Sequence, residues 1–447
     1  MQSQTTQGKL QRSLGLWGVV LFGLAYMAPM IVYGTYGVLA QTSQGLVPLA
    51  YLLALCAVML TAISYGNMAR AIPVAGSAYT YAGRAIGAPV GFMVGWAVLL
   101  DYFFLPMVIW LIGAAYLSQA FPSVPSPIWI LGFILITTGI NLLGIALANR
   151  VNIVLMVMQV LIVLGFITLC IYYVVGAQGA GGLMSVKPFF NASVPISAAF
   201  SGAAIAAYSF LGFDAVTTLT EETIDPRRTM PRAILLVALL GGAIFIAAAY
   251  FTQLADPTTK FVNPDAAAME IAERVGGDIF AMLFLTGLVV AQFTAGLAAQ
   301  AAVGRLLFAM GRDGVLPRRV FGYLQPRFNT PAFNIVLSGV IGLLALAMTE
   351  ETSTSFINFG AFLAFTFVNL SVLALYVRDR AALGGAGVIT GLLVPIAGTI
   401  FNLYLLSSLD SQAIELGLSW LVVGAVYLTW LTRGFSRPTP QVEEAVD

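Results

Sequence analysis

The sequence predicts an all-α membrane protein of twelve transmembrane helices, built as a five-plus-five inverted repeat with broken helices 1 and 6, plus two peripheral helices. Three observations predict it. Of 447 residues, 60% are hydrophobic and only 9% charged, with a mean hydropathy of +0.93, whereas a soluble domain carries about 25% charged residues. The apolar residues fall in runs of the roughly 20 that a helix needs to cross hydrocarbon. Two of those runs, five helices apart, are interrupted at mid-depth by glycine, proline or aspartate.

Taken in order, windows of about 19 residues place spans at 17–41, 46–70, 90–118, 127–147, 152–176, 195–222, 230–254, 278–309, 332–349, 355–377, 387–407 and 414–433. The first apolar run, Leu14 to Ala40, is too long for a signal-peptide core of about 7–15 residues and reads as a retained span. Breakers separate the runs: Pro122, Pro125 and Pro127, then Gly179 to Gly182, Asp256-Pro257 and Gly384-Gly385. No soluble domain fits between them. The chain divides into an N-terminal tail (1–16), a core (17–377) of two repeats (17–176 and 195–377), helices 11 and 12 (378–433) and a C-terminal tail (434–447).

Orientation follows from the basic residues. With the N-terminus cytoplasmic, inside segments hold seventeen Lys and Arg, from Lys9 and Arg12 through Arg327 to Arg437, and outside segments hold three: Lys187, Lys260 and Arg274. That asymmetry supports twelve spans with both termini inside, because one missed span scrambles the alternation downstream. The lipid bilayer is accordingly its expected surroundings.

Composition also excludes whole classes of chemistry. A net charge of +1 leaves no electrostatic attraction for nucleic acid. There is no histidine, so imidazole metal sites, Ser-His-Asp triads and the usual neutral-pH proton relay are absent. Cys56 and Cys170 each lie in an apolar run and indicate packing rather than a disulfide or a metal site. No cofactor is expected.

The first span reads GLAYMAPMIVYGTYG, with Gly23, Pro29, Gly34 and Gly37 gathered at its centre; the sixth reads SFLGFDAVTTLTEE, with Gly212 and Asp214 at mid-depth. Five is odd, so the two spans run in opposite directions, which is the inverted-repeat relation. Single glycines in membrane helices mostly serve packing. A cluster breaks the helix and frees backbone groups that hydrocarbon cannot satisfy, and a binding cavity resolves that.

Only Asp101 and Asp214 sit deep within otherwise apolar spans. Such a residue faces the bundle interior, as a functional group or as a hydrogen-bonded staple. Glu221 and Glu222, followed by Arg227 and Arg228, suit a gate or an ion-pair network near the end of span 6. Of the aromatics flanking the breaks, including Tyr26, Tyr33, Tyr36 and Tyr208, the pairs Tyr102 beside Asp101 and Phe210 beside Gly212 are the strongest candidates for contacting an ammonium. Candidate binding residues are therefore Tyr33, Gly34, Thr35, Gly37, Asp101, Tyr102, Tyr208, Phe210, Gly212 and Asp214, with Asp101, Asp214, Glu221 and Glu222 for gating or proton coupling. Asn358, Thr366 and Asn369 on helix 10, and Gln292 and Thr294 on helix 8, fit interhelical hydrogen bonding better.

Four stretches, AISYGNMARAIPVAGSAYTYAGRAIG with GFMVGW, FLGFDAVTTLTEETIDPRRTMPRAI, GRLLFAMGRDGVLPRRVFG and NFGAFLAFTFVNLS, resemble the amino acid, polyamine and organocation transporter superfamily. Within it, LLDYFFLPM and GFDAVTTLTEET are most similar to bacterial putrescine importers. The resemblance implies secondary active import of an amine-bearing solute, putrescine, a related amine or an amino acid, by alternating access, with the proton as coupling ion. Two departures stand out: Gly34 occupies the place of an aspartate in putrescine importers, and Gln159 that of a lysine in some proton-coupled amino acid members. An amino acid exchanger of the same superfamily is the alternative. From another class, two membrane aspartates suggest an intramembrane aspartyl protease, although Asp101-Tyr102 and Gly212-Phe213-Asp214 disagree with the Tyr-Asp and Gly-x-Gly-Asp motifs of such enzymes.

Overall fold

The computed structural model describes residues 12, 14–74, 77–143, 148–312, 316–325, 330–385 and 387–439. Most of the two expected tails, and Lys9 and Arg327 of the charge asymmetry, lie outside the described residues. The described chain is helical, and its only β-type pairings are two isolated bridges, Leu14 with Thr223 and Gln325 with Thr330. Among the described residues eleven helices are long and apolar enough to cross a membrane, and Ala332–Leu346 is a shorter apolar helix where the ninth span is expected.

Span 1 is broken into Leu16–Met27, Ile31–Gly34 and Tyr36–Thr42. Pro29 is the cause, since it lacks an N–H and disfavours the helical conformation in the residue before it. Ala28 accordingly leaves the helix at φ 49°. The break thus centres on Ala28 to Met30, and Gly34 closes a short helical turn beyond it. Span 6 runs as Ile196–Ala206, a 3-10 turn Ala207–Phe210, and a 3-10 helix Ala215–Glu222, with Gly212 at φ 108° between them.

The segment before span 1 is fastened to the end of span 6. Leu14 N–H donates to the Glu222 carbonyl at 3.0 Å, and Ile224 N–H donates to the Leu14 carbonyl at 2.9 Å. Both half-helices that leave the breaks toward this end are therefore held together by main-chain bonds.

Three elements differ from the sequence reading. A short helix, Ser77–Ala85, lies between spans 2 and 3. It packs on span 3 (Ala88–Ala120) so closely that a Cβ at Gly91 would fall 2.6 Å from Gly83 Cα. The eighth span, expected from 278, continues a helix that starts at Ala267 and kinks at Gly277. Span 10 (Glu350–Arg378) starts five residues before the expected 355, because the Thr349 side chain accepts from Thr352 N–H at 3.2 Å and Glu350 and Glu351 occupy the first turn. A hydroxyl cap and early acidic residues both favour a helix start.

Spans 6 and 3 are the most enclosed, 78% and 72% of their apolar windows being buried, against 28% for spans 4, 5 and 11 (Ile389–Ser407) and 17% for span 12 (Ser411–Leu431), which lie toward the outside. Polar clasps hold spans 11 and 12: Asn402 donates to Thr61 Oγ1 at 2.9 Å, and the Trp96 and Trp420 indoles each donate to the other's carbonyl, at 2.9 and 2.8 Å.

Candidate functional site

The two breaks meet. Gly212 lies against the Tyr26 ring, leaving no space for a Cβ there, and its positive φ is one that L side chains resist. A glycine at this point thus lets the end of half-helix Leu16–Met27 close on the turn of span 6.

Asp214 follows within that turn and is 8% exposed. Its Oδ2 accepts from the Tyr65 hydroxyl at 3.2 Å and from Ser77 Oγ at 3.3 Å. Tyr65 belongs to span 2 (Val47–Ala71) and Ser77 opens the short helix, so the carboxylate ties three elements together. Phe213 packs edge-on to Tyr65 and Phe365, with centroids at 5.6 and 5.2 Å, screening these bonds from water. This is the arrangement of a structural staple.

Asp101 stands differently. Part of its surface remains accessible, yet Oδ1 is buried with no hydrogen-bond partner among the described residues. Asp101 and Asp214 are within electrostatic reach of each other, and Tyr26 of both. Tyr102 is within the same reach of Tyr26, Asp214 and Asp101, and Tyr208 of Asp101 and Tyr26. The structure thus gathers Tyr26, Asp101, Tyr102, Tyr208, Gly212 and Asp214 around the breaks.

The remaining candidates divide between other places. Phe210 packs on Tyr51 and Phe245 at 6.4 and 5.3 Å, in an apolar cluster with spans 2 and 7 (Pro226–Ala255). Tyr33 is fully buried against Phe166 and Phe284, at 4.7 and 5.4 Å, and its carbonyl accepts from Tyr116 at 2.5 Å. Gly34 faces Ile112 and Gln292, and Gly37 abuts the Pro264 carbonyl, where a Cβ has no room. The hydroxyls of Tyr33, Thr35 and Tyr36 are buried without partners among the described residues. Glu222 gives its carbonyl to Leu14, while Arg228 pairs with Asp225 at 3.7 Å; the Glu221 side chain lies outside the described residues. Asn369 bonds Ser64 and Thr61 at 2.6 and 3.2 Å, an interhelical role, and Asn358 donates to the Ala204 carbonyl at 2.7 Å.

Comparison with known proteins decides the family. The amino acid permease family model matches residues 18–415. The chain belongs to the amino acid permease family. Over 445 residues it is 42% identical to the low-affinity putrescine importer PlaP of Escherichia coli K12, covering 98% of both chains. It is 25% identical to the branched-chain amino acid permease BcaP of Bacillus subtilis, over 96% of this chain and 94% of the relative. Identity to cationic amino acid transporter 4 of Mus musculus is 27%, over 84% of this chain and 61% of the relative.

This amino acid permease is a membrane transporter of the amine and amino acid class and not an enzyme, which retires the aspartyl protease reading. Its two deep aspartates do not need to act as a hydrolytic dyad, and the hydrogen bonds of Asp214 to Tyr65 and Ser77 account for one of them. Sequence reasoning missed Tyr65, Ser77 and Glu350. The first two lie in the quoted stretch that begins within span 2 but touch Asp214 from 149 and 137 residues away, a pairing that no local pattern carries.

Proposed function

We propose that this permease imports an organic amine, putrescine or a close relative, across the bacterial inner membrane by alternating access. Spans 1–5 and 6–10 form the inverted repeat, both termini are cytoplasmic, and the cargo binds between the two breaks. The observation that carries the reading is the buried, unpartnered Oδ1 of Asp101 beside the junction of Tyr26 and Gly212. A free acceptor of that kind wants a cation.

The backbone at the breaks points the same way. An amino acid cargo needs free N–H groups for its carboxylate, but those of Leu211, Phe213 and Ala215 already donate to Tyr208, Phe210 and Gly212 at 3.1, 3.2 and 3.0 Å. In span 1, Ile31 and Tyr33 N–H likewise donate to Ala28 and Met30, at 2.9 and 3.1 Å. The open acceptor nearby is Asp101 Oδ1, which suits an ammonium, and the Tyr26, Tyr102 and Tyr208 rings supply cation–π faces worth about 0.5–2 kcal/mol. The similarity to a putrescine importer supports this choice of cargo.

The deciding experiment is uptake by proteoliposomes of radiolabelled putrescine against leucine. Putrescine accumulation that disappears in Asp101→Asn is the expected result; leucine uptake with no amine uptake overturns the reading in favour of an amino acid exchanger, whose carboxylate would then use the Tyr33, Thr35 and Tyr36 hydroxyls.

A further inference from the structure

A third carboxylate lies buried in the interior, unused by the function proposed above. Glu350 opens span 10, is 1% exposed, and neither of its oxygens has a hydrogen-bond partner among the described residues. One turn on, Ser353 Oγ is also buried and unpartnered. Around Glu350, within electrostatic reach, stand Asp265 of the 3-10 turn Pro264–Ala266 and the side chains of Tyr51, Tyr116 and Tyr208. Its one charged neighbour in that set is therefore another acid, and the described ion pairs do not include it. An ionised buried carboxylate in such company is unfavourable until a cation arrives.

Its height in the bundle separates it from Asp101. Gly360 of span 10 meets Ala97 and Leu100 of span 3, a Cβ there lying 2.5 Å from the Ala97 carbonyl. Asp101 is then level with about residue 359, and Glu350 stands about 13 Å further along span 10 at about 1.5 Å rise per residue. Tyr208 lies within electrostatic reach of both carboxylates. On the orientation proposed above, Glu350 is at the outer side, beneath the turn whose Pro264 carbonyl seats on Gly37.

We propose that Glu350, with Asp265 and Ser353, forms an outer amine site that holds the ammonium of an entering cargo before it passes Tyr208 to Asp101. The proposal rests on the amine-import reading and extends it to two successive sites. It is tested with full-length protein in proteoliposomes, by initial rates of radiolabelled putrescine uptake against external concentration. Glu350→Gln is expected to raise KM at least tenfold with kcat within twofold, Glu350→Asp to fall between it and the wild type, and Asp101→Asn to lose uptake altogether. An unchanged KM in Glu350→Gln, or a fall in kcat alone, with Asp101→Asn still inactive, overturns the outer site and leaves the amine reading standing. A wild-type protein that takes up leucine and no amine overturns both. If Glu350→Gln elutes aggregated in size-exclusion chromatography, Glu350→Asp alone decides: a raised KM supports the outer site and an unchanged one overturns it.

Discussion

Tyr26 and Gly212 face each other across the two helix breaks so closely that a methyl group on residue 212 would overlap the Tyr26 ring. The contact joins the end of one half-helix to the turn of another 186 positions along the chain, and it lies within electrostatic reach of Asp101, the one carboxylate of span 3. Whatever the breaks bind is bordered by this junction.

Gly212→Ala therefore meets two obstacles, the ring and a φ of 108°. The backbone conformation alone costs about 1–2 kcal/mol for an L residue. We expect uptake to fall more than tenfold and the melting temperature to drop. Gly132→Ala is the control, since nothing lies within 4 Å of a Cβ at that position. Equal behaviour of the two variants in uptake and thermal-unfolding assays contradicts the junction's role.

The two deep aspartates should respond to neutralisation with opposite signs. Asp214→Asn weakens the bonds from Tyr65 and Ser77, and because a hydrogen bond to a charged group is worth about 1.5–3 kcal/mol, ligand-free stability should fall by about 2 kcal/mol. Asp101→Asn removes a carboxylate with no partner on Oδ1, so ligand-free stability should hold or rise while putrescine-induced stabilisation vanishes. Thermal unfolding with and without putrescine reads both effects.

If the proton drives import, an inward pH gradient should accelerate putrescine uptake, and a protonophore should abolish the acceleration. Rates indifferent to the gradient in both conditions remove proton coupling from the mechanism.

At the periphery, Trp420→Phe deletes the indole donor to the Trp96 carbonyl but keeps a ring to face Trp96, whose centroid lies 4.9 Å away. A loss of about 1 kcal/mol in stability is expected, with uptake unchanged within twofold. A larger fall in uptake assigns span 12 to the transport machinery.

The spans were legible because each is a long apolar run: the second, expected at 46–70, is Val47–Ala71, and the third, expected at 90–118, is Ala88–Ala120. Both broken spans announced themselves through Pro29 and Gly212. Ser77–Ala85 escaped because a nine-residue helix with glycine and polar residues lacks a long apolar run, and its support is the close approach of Gly83 to Gly91, a contact between elements. Glu350 was hidden for a related reason. Hydropathy windows discount acidic residues at a helix start, whereas the Thr349 cap draws them into the span. Asp101 and Asp214 looked equivalent in sequence, and only their neighbours distinguish an anchored carboxylate from an open one.

The short pairing of Leu14 with Thr223 bears on how the molecule moves. Because two main-chain bonds buckle the front of span 1 to the tail of span 6, the two cannot swing apart one after the other without tearing that buckle. On the alternating-access mechanism proposed above, opening toward this face is then a single concerted swing of a linked pair, and loosening the clasp, for instance with Leu14→Pro, which deletes the Leu14 donor, should uncouple the two arms and let the passage leak.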